Sequence, residues 1–291
     1  MRSCFSGPNG KGNAMLRSAL PAKPKLLALR RTVAQIVLSV AHEVQRNHRR
    51  RDGAGVIRKA VGDFVTATDL RAERTLHSKL IKALPEAGFL GEETQSHGLE
   101  KDFVWVVDPI DGTSNYANGL PHYAVAVALL YQRMPVLSTI WCAPEFILYE
   151  AIRGVGAYRA GRRFTMPAGR WDDGSIVGCQ WHRGQQDMKF LAKLQRDGTR
   201  IRTFGCTVVQ LADVACGRLD ANVQQQGRVW DVAAPGLLVE AAGGVFTDWR
   251  GVPIFPFKRL DVGHLPSIAA SSTVHPRILA RLRGSVAVPP A

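Results

Sequence analysis

Five uncharged residues, Phe103 to Val107, run directly onto Asp108-Pro109-Ile110-Asp111-Gly112-Thr113. Such an apolar run reads as a buried strand. A buried strand does not end on two carboxylates three residues apart unless something positive meets them. Pro109 fixes φ and has no N–H for a ladder, so the chain is predicted to leave the sheet and turn there. The turn aims both carboxylates, and the Ile110 carbonyl, at one point. Hard oxygen donors of that kind suit Mg2+, and the free N–H groups of Gly112 and Thr113 suit an anionic oxygen. Taken alone, the run also fits a tight turn in which Asp111-Gly112 serves only the backbone.

Other acids stand at equally ambiguous places. Glu92-Glu93 follow Gly91 and the apolar Phe89-Leu90, a context that also suits a solvated loop. Asp231 opens a predicted helix, Val232–Ala242, where an aspartate is ordinarily an N-cap. Asp69 precedes a helix that turns Leu76, Leu80, Ile81 and Leu84 inward and stops at Pro85, and it suits the same capping role. Together these segments supply the set of about four carboxylates that a pair of cations needs. No other set competes. The 5 cysteines contain no CxxC pair and the 8 histidines no HExxH spacing. The odd thiol count argues against a disulfide framework and for a reducing compartment.

Leu26 to His48 carries Leu26, Leu29, Val33, Ile36, Val37, Val40 and Val44 at helical spacing, and Arg49 to Gly55 reads as a flexible connection. Strands predicted at Ala124–Tyr131, Val136–Ala143 and Phe146–Ile152 are joined by short turns into an antiparallel meander. Beyond Phe164, strands at Ile176–Gln180, Arg200–Gly205, Asp220–Gln224 and Val245–Trp249 alternate with helices at Asp187–Arg196, Thr207–Cys216 and Val232–Ala242. The expectation is an α+β chain. An antiparallel-sheet half over 25–166 and an α/β half over 167–291 follow a disordered basic leader at 1–24.

The net charge of +14 raises nucleic-acid binding as a function class. Residues 1–58 carry 12 Lys/Arg against 2 acids, and residues 250–291 carry 6 against 1, so the middle of the chain is near neutral. Nucleic acid is therefore expected to matter only through the basic ends. The acid-free amino end resembles an organelle transit peptide. The expected location is cytoplasmic, with organellar import through the leader as the alternative. No run approaches the ~20 apolar residues of a membrane span, so no membrane partner is expected.

Four segments, in order and local sequence, resemble the signature regions of the inositol monophosphatase superfamily. They are Asp63-Phe64-Val65-Thr66-Ala67-Thr68-Asp69, Gly91-Glu92-Glu93, the run from Asp108 to Tyr116, and Trp230-Asp231-Val232-Ala233-Ala234 with Glu240-Ala241-Ala242-Gly243-Gly244. The resemblance covers Leu26 to the carboxyl end. It implies a layered α-β-α-β-α sandwich, usually a homodimer, that hydrolyses a small phosphate monoester with two Mg2+ ions. Glu92, Asp108 and the Ile110 carbonyl would hold one ion. Asp108, Asp111 and Asp231 would hold the other, and a third near Glu92 is implied for some members. Thr113 and Asp69, with Glu92, would orient and deprotonate the attacking water, while the Gly112 and Thr113 N–H groups grip the phosphate.

The resemblance weakens where the leaving group would sit. Counting back from Asp231, Gln224 occupies the place of a glutamate that contacts sugar hydroxyls in inositol-specific members. The small-residue element before the following helix reads Gly205-Cys206-Thr207, which makes Cys206, Thr207 and Gln224 the expected substrate contacts. Pro235 falls just inside the last predicted helix, near the limit of what a first turn tolerates. The run Phe246-Thr247-Asp248-Trp249 resembles the histidinol-phosphate-hydrolysing branch. Inositol phosphate is the expected substrate, with histidinol phosphate or another sugar or nucleotide phosphate as the alternative. A non-catalytic nucleic-acid-binding or regulatory protein is the alternative of a different class.

Overall fold

The computed structural model describes residues 23–50, 57–60, 63–180, 188–261 and 263–283. The leader expected at 1–24 falls outside them except for its last two residues, which already belong to the first helix, α1 (Lys23–Arg50). Pro24 is tolerated there because a first-turn residue has no N–H to give. The apolar stripe of α1 is buried from Leu26 to Val44. On its flank, Arg30 forks onto Glu150, with Nε to Oε1 at 2.8 Å and Nη2 to Oε2 at 3.2 Å. The same guanidinium lies 3.9 Å from the centre of the Tyr158 ring. The helix is thus fixed to the sheet beneath it by a paired and sheltered charge.

A short hairpin, β1 (Ile57–Ala60) and β2 (Asp63–Val65), leads into α2 (Ala67–Ala83). Thr66 caps α2 through a reciprocal box: its Oγ1 accepts from the Asp69 N–H, and the Thr66 N–H donates to Asp69 Oδ2 across 2.9 Å. The first large sheet runs β3 (Gly88–Gly91), β4 (Phe103–Asp111), β5 (Ala124–Tyr131), β6 (Met134–Cys142), β7 (Ile147–Ile152), β8 (Gly156–Arg159) and β9 (Arg162–Phe164), in that spatial order. Only β3 and β4 are parallel; every other neighbouring pair is antiparallel. The meander expected from the sequence is its centre.

The second sheet contains β10 (Ile176–Gln180), β11 (Arg200–Arg202), β12 (Ala221–Gly227), β13 (Val245–Thr247) and β14 (Leu265–Ala270), in the order β11-β10-β12-β14-β13. Strand β14 and the closing helix α7 (His275–Leu282) were not expected. Leu265-Pro266-Ser267 interrupts the β pattern, and β14 becomes a strand because it fills the gap between β12 and β13. Helices α1 and α2 cover the outer face of the first sheet, while α4 (Met188–Arg196) and α7 cover the outer face of the second. Between the sheets lie α5 (Thr207–Ala215) and α6 (Val229–Ala241). The chain is an α+β, α-β-α-β-α layered sandwich. Among the described residues, no helix is long and apolar enough to cross a membrane.

Helix α6 is apolar all round because it is buried all round. It begins at Val229 rather than at the expected Val232, which moves Pro235 from the first turn into the second. Its proline withdraws the N–H that would bond the Asp231 carbonyl. One turn of α6 is packed to contact. A Cβ on Gly236 would stand 2.7 Å from Phe246 Cε1 and 2.8 Å from Phe255 Cζ. Gly236→Ala should therefore destabilise the protein by about 1–3 kcal/mol through overpacking, although alanine gains ~1 kcal/mol of helix propensity. Equilibrium denaturant unfolding checks this; a neutral or stabilised variant would show that the two rings yield.

Candidate metal centre

The chain does not turn at Pro109 as the sequence suggests. Strand β4 continues to Asp111, with Asp108 opposite Ala126 and Asp111 opposite Ala124, so three steps on β4 match two on β5. The extra residue is a β-bulge, and its consequence is geometric. Residues three apart on a regular strand point to opposite faces; one inserted residue brings them to the same face. Proline is tolerated there because the neighbouring β3 ends at Gly91, opposite Val107, and needs no ladder bond beyond it.

On that face, ligand oxygens of Asp108, Asp111 and Asp231 all lie within 4.8 Å of one another. Asp231 comes from the second half, at the third position of α6. Its Oδ2 accepts the Arg228 N–H at 2.8 Å, so the carboxylate serves the helix start from inside the first turn rather than as the N-cap. Asp111 is held by α5, whose Val208 N–H donates to Oδ2 across 2.6 Å. Both oxygens of Asp108 are buried without a hydrogen-bond donor among the described residues.

The electrostatics match this crowding. Burial, then the charges of Glu92, Asp111 and Asp231, raise the Asp108 pKa well above the carboxylate range. Burial, then the Asp111 charge, raises Asp231 to about 8. Asp111 rises only to about 6, because the Cys206 thiol and the Val208 and Gly112 amides offset its burial. Carboxylates gathered this closely away from water cannot all ionise without a cation. The donor set is hard oxygen throughout, which fits Mg2+-like ions and not a thiophilic metal.

Around this trio stand the other expected residues. Glu92, just past β3, is partly exposed and faces Asp108 without joining the tight trio. Ile110 is fully buried, and its carbonyl accepts the Thr113 hydroxyl at 2.9 Å. Thr113 Oγ1 is also 3.2 Å from Asp69 Oδ1, so these two residues meet although 44 positions separate them. Gly112, at φ +86°, precedes the short helix α3 (Thr113–Ala117). A Cβ there would stand 2.8 Å from the His122 carbonyl.

All three residues expected at the leaving group are buried. The Cys206 thiol is 2.8 Å from Asp111 Oδ2. Thr207 is likewise buried, with Oγ1 3.5 Å from Gln180 Oε1. Gln224 sits in register between Gln180 on β10 and Ser267 on β14, so all three share one sheet face. That face looks toward α5, because Asn222, two residues back, accepts from Gln210 of α5 at 2.6 Å. Gln224 is 1% exposed, and its Oε1 has no hydrogen-bond partner among the described residues.

The sequence reading missed Glu73. It is fully buried on α2 and accepts the Glu93 N–H at 2.8 Å and the Thr94 N–H at 2.7 Å, holding the Glu92 segment in place. A Cβ on Gly91 would meet its carboxylate at 2.5 Å, which explains the glycine of Gly91-Glu92-Glu93. A signal was present: Asp69, Glu73, Leu76 and Leu80 lie on one helical stripe, and a carboxylate on an apolar stripe needs donors.

Five layers with buried carboxylates where the two halves meet define a fold with a candidate metal centre, and the comparisons give its family. Residues 24–287 match the inositol monophosphatase family, and the chain belongs to that family. It is 36% identical over 241 residues to the inositol-1-monophosphatase of Caulobacter vibrioides, covering 79% of this chain and 91% of that protein. It is 33% identical over 236 residues to the Nus factor SuhB of Xylella fastidiosa, covering 79% of this chain and 83% of that one. The crystal structure of the extragenic suppressor protein suhB from Bartonella henselae superimposes with a TM-score of 0.81 at 30% identity, covering 89% of this chain and all of that one.

A cluster of mutually repelling carboxylates makes a test available without turnover. In chelator, Asp108→Asn should raise Tm by about 2–8 °C, since relieving ~1–2 kcal/mol of like-charge crowding moves a chain of this size by that much. Added Mg2+ should then raise the Tm of wild type but not of the variant. A variant less stable than wild type in chelator would contradict the crowding.

Proposed function

We propose that this chain hydrolyses a small phosphate monoester, inositol monophosphate being the favoured substrate, with Mg2+ held by Asp108, Asp111, Asp231 and Glu92. The observation that carries this reading is the Asp108 carboxylate, buried beside Glu92, Asp111 and Asp231 and facing no hydrogen-bond donor among the described residues. Two ions would share the site through Asp108, the Ile110 carbonyl completing one set and Asp231 the other, with a third near Glu92. When bound, they supply the positive charge that neutralises phosphoryl oxygens and lowers the pKa of a water.

The chain's own residues do the rest. The single Thr113 hydroxyl proton has two acceptors in reach, the Ile110 carbonyl at 2.9 Å and Asp69 Oδ1 at 3.2 Å; turned to Asp69, it leaves a lone pair to orient a water between α3 and the carboxylates. Asp69 is held ready by the Thr66 N–H on its other oxygen, so a proton drawn from that water has a path through Thr113 to Oδ1. The water oxygen then bonds to phosphorus as the ester P–O bond breaks; the leaving alkoxide takes a proton from solvent water, and Asp69 returns its proton to solvent. The Thr113 N–H, and the Gly112 N–H that otherwise bonds to Asp111, would donate to phosphate oxygens. Gln224, facing the α5 layer with an unspent Oε1, receives hydroxyls of the leaving group. A homodimer is the expected assembly.

Kinetics with inositol-1-phosphate, glycerol-2-phosphate and histidinol phosphate, with and without Mg2+, test the reading. Asp231→Asn should lose more than about tenfold in kcat while staying folded, because Lewis-acid stabilisation is worth several kcal/mol. Gln224→Glu should gain about tenfold for inositol phosphate relative to glycerol phosphate, since a carboxylate grips a diol through stronger, charge-assisted bonds. An unchanged ratio would place Gln224 away from the leaving group. Activity undiminished in chelator would remove the metal reading.

A second reading rests on the similarity to proteins called Nus factor SuhB together with the basic ends of the chain. In it, the protein regulates by binding nucleic acid. Nucleic-acid affinity falling steeply with salt, combined with no turnover of any phosphate ester, would favour it.

A further inference from the structure

Asp111 lies at the end of a strand in the first half, yet its carboxylate is fastened by a helix of the second. Two donors at the start of α5 converge on one oxygen. The Val208 N–H reaches Oδ2 across 2.6 Å, and the Cys206 thiol lies 2.8 Å from the same atom. A single donor lets a carboxylate swing about the donor–oxygen line. A second donor from another direction stops that rotation and fixes which oxygen faces the other way. The contact is built in: Cys206 is fully buried, and a Cβ placed on Gly112 would stand 3.2 Å from Cys206 Cβ. A larger residue at 112 would push the thiol off its acceptor.

We propose that Cys206 is a positioning residue: its thiol, with the Val208 amide, pins Asp111 through Oδ2 and so reserves Oδ1 for the cation. The inference rests on the metal reading of the site. It gives Cys206 a role through Asp111, beside the substrate contact the sequence suggests.

Calorimetric titration of the full chain with Mg2+ alone, without substrate, tests the inference. Cys206→Ala and Cys206→Val both remove the donor, the second while filling the space. Each should weaken Mg2+ binding about tenfold, the usual effect of losing an outer partner of a metal ligand. The half-saturating Mg2+ concentration in turnover should rise equally, with kcat at saturation little changed. Cys206→Ser keeps a donor and should stay within about threefold of wild type, well short of that loss. Thermal unfolding identifies which variants are folded, and either donor-free variant suffices. Wild-type Mg2+ affinity in a folded donor-free variant would overturn the inference, as would a serine variant as weak as both of them. A wild type that takes up no Mg2+ would overturn the metal reading as well.

Discussion

Like-charge repulsion in a buried place is the constraint on which this structure turns. Asp108, Asp111 and Asp231 are brought within 4.8 Å of one another, with Glu92 facing them. Left alone, such an arrangement costs several kcal/mol, and the rest of the fold must hold it together. It does so from three directions. The bulge in β4 turns Asp108 and Asp111 to one side, α5 grips Asp111, and the start of α6 carries Asp231. The layered architecture makes this possible, because α5 and α6 lie between the sheets and present their N-termini to the end of β4.

The supports are themselves fixed by hydrogen bonds to backbone rather than by loose side-chain pairs. Glu73 holds the Glu92 segment by two amides, Thr66 holds Asp69, and Arg228 and Val208 amides hold Asp231 and Asp111. At Asp231 and Asp111 these amides bond to Oδ2, whereas Glu73 spends both oxygens on the segment it holds. Asp108 meets no donor at either oxygen among the described residues. It is the residue most dependent on a cation, and it is the one placed at the centre. The ion pair of Arg30 with Glu150, by contrast, is remote from the chemistry and serves to seat α1.

The sequence made part of this legible. Polar residues where an apolar pattern demands burial stand out, as Asp108 and Asp111 do, whereas Glu92 suits a solvated loop on its own and gains a role only from the family resemblance. What escaped depends on neighbours distant in sequence. That β4 passes through Pro109 follows from where β3 stops, and no local rule contains that. Cys206 looks like a small residue at a helix start, and its contact with Asp111 spans 95 positions. Strand β14 is made by the gap it fills, since Leu265-Pro266-Ser267 is a poor strand sequence on its own. Glu73 was findable, because it lies on the same stripe as Leu76 and Leu80, but a single glutamate among alanines and arginines draws no attention to itself.

The central claim is that this carboxylate cluster is a divalent-cation site serving phosphate. The most direct test is anomalous diffraction from crystals grown with Mn2+, a hard-oxygen stand-in for Mg2+ with its own absorption signal, together with inorganic phosphate. The account predicts a Mn2+ peak bonded to Asp108 and to at least two of Glu92, Asp111 and Asp231, with phosphate against it and toward Gly112 and Thr113. Absence of any peak at Asp108 when the ion is in excess, or phosphate bound elsewhere with the cluster protonated, would contradict it.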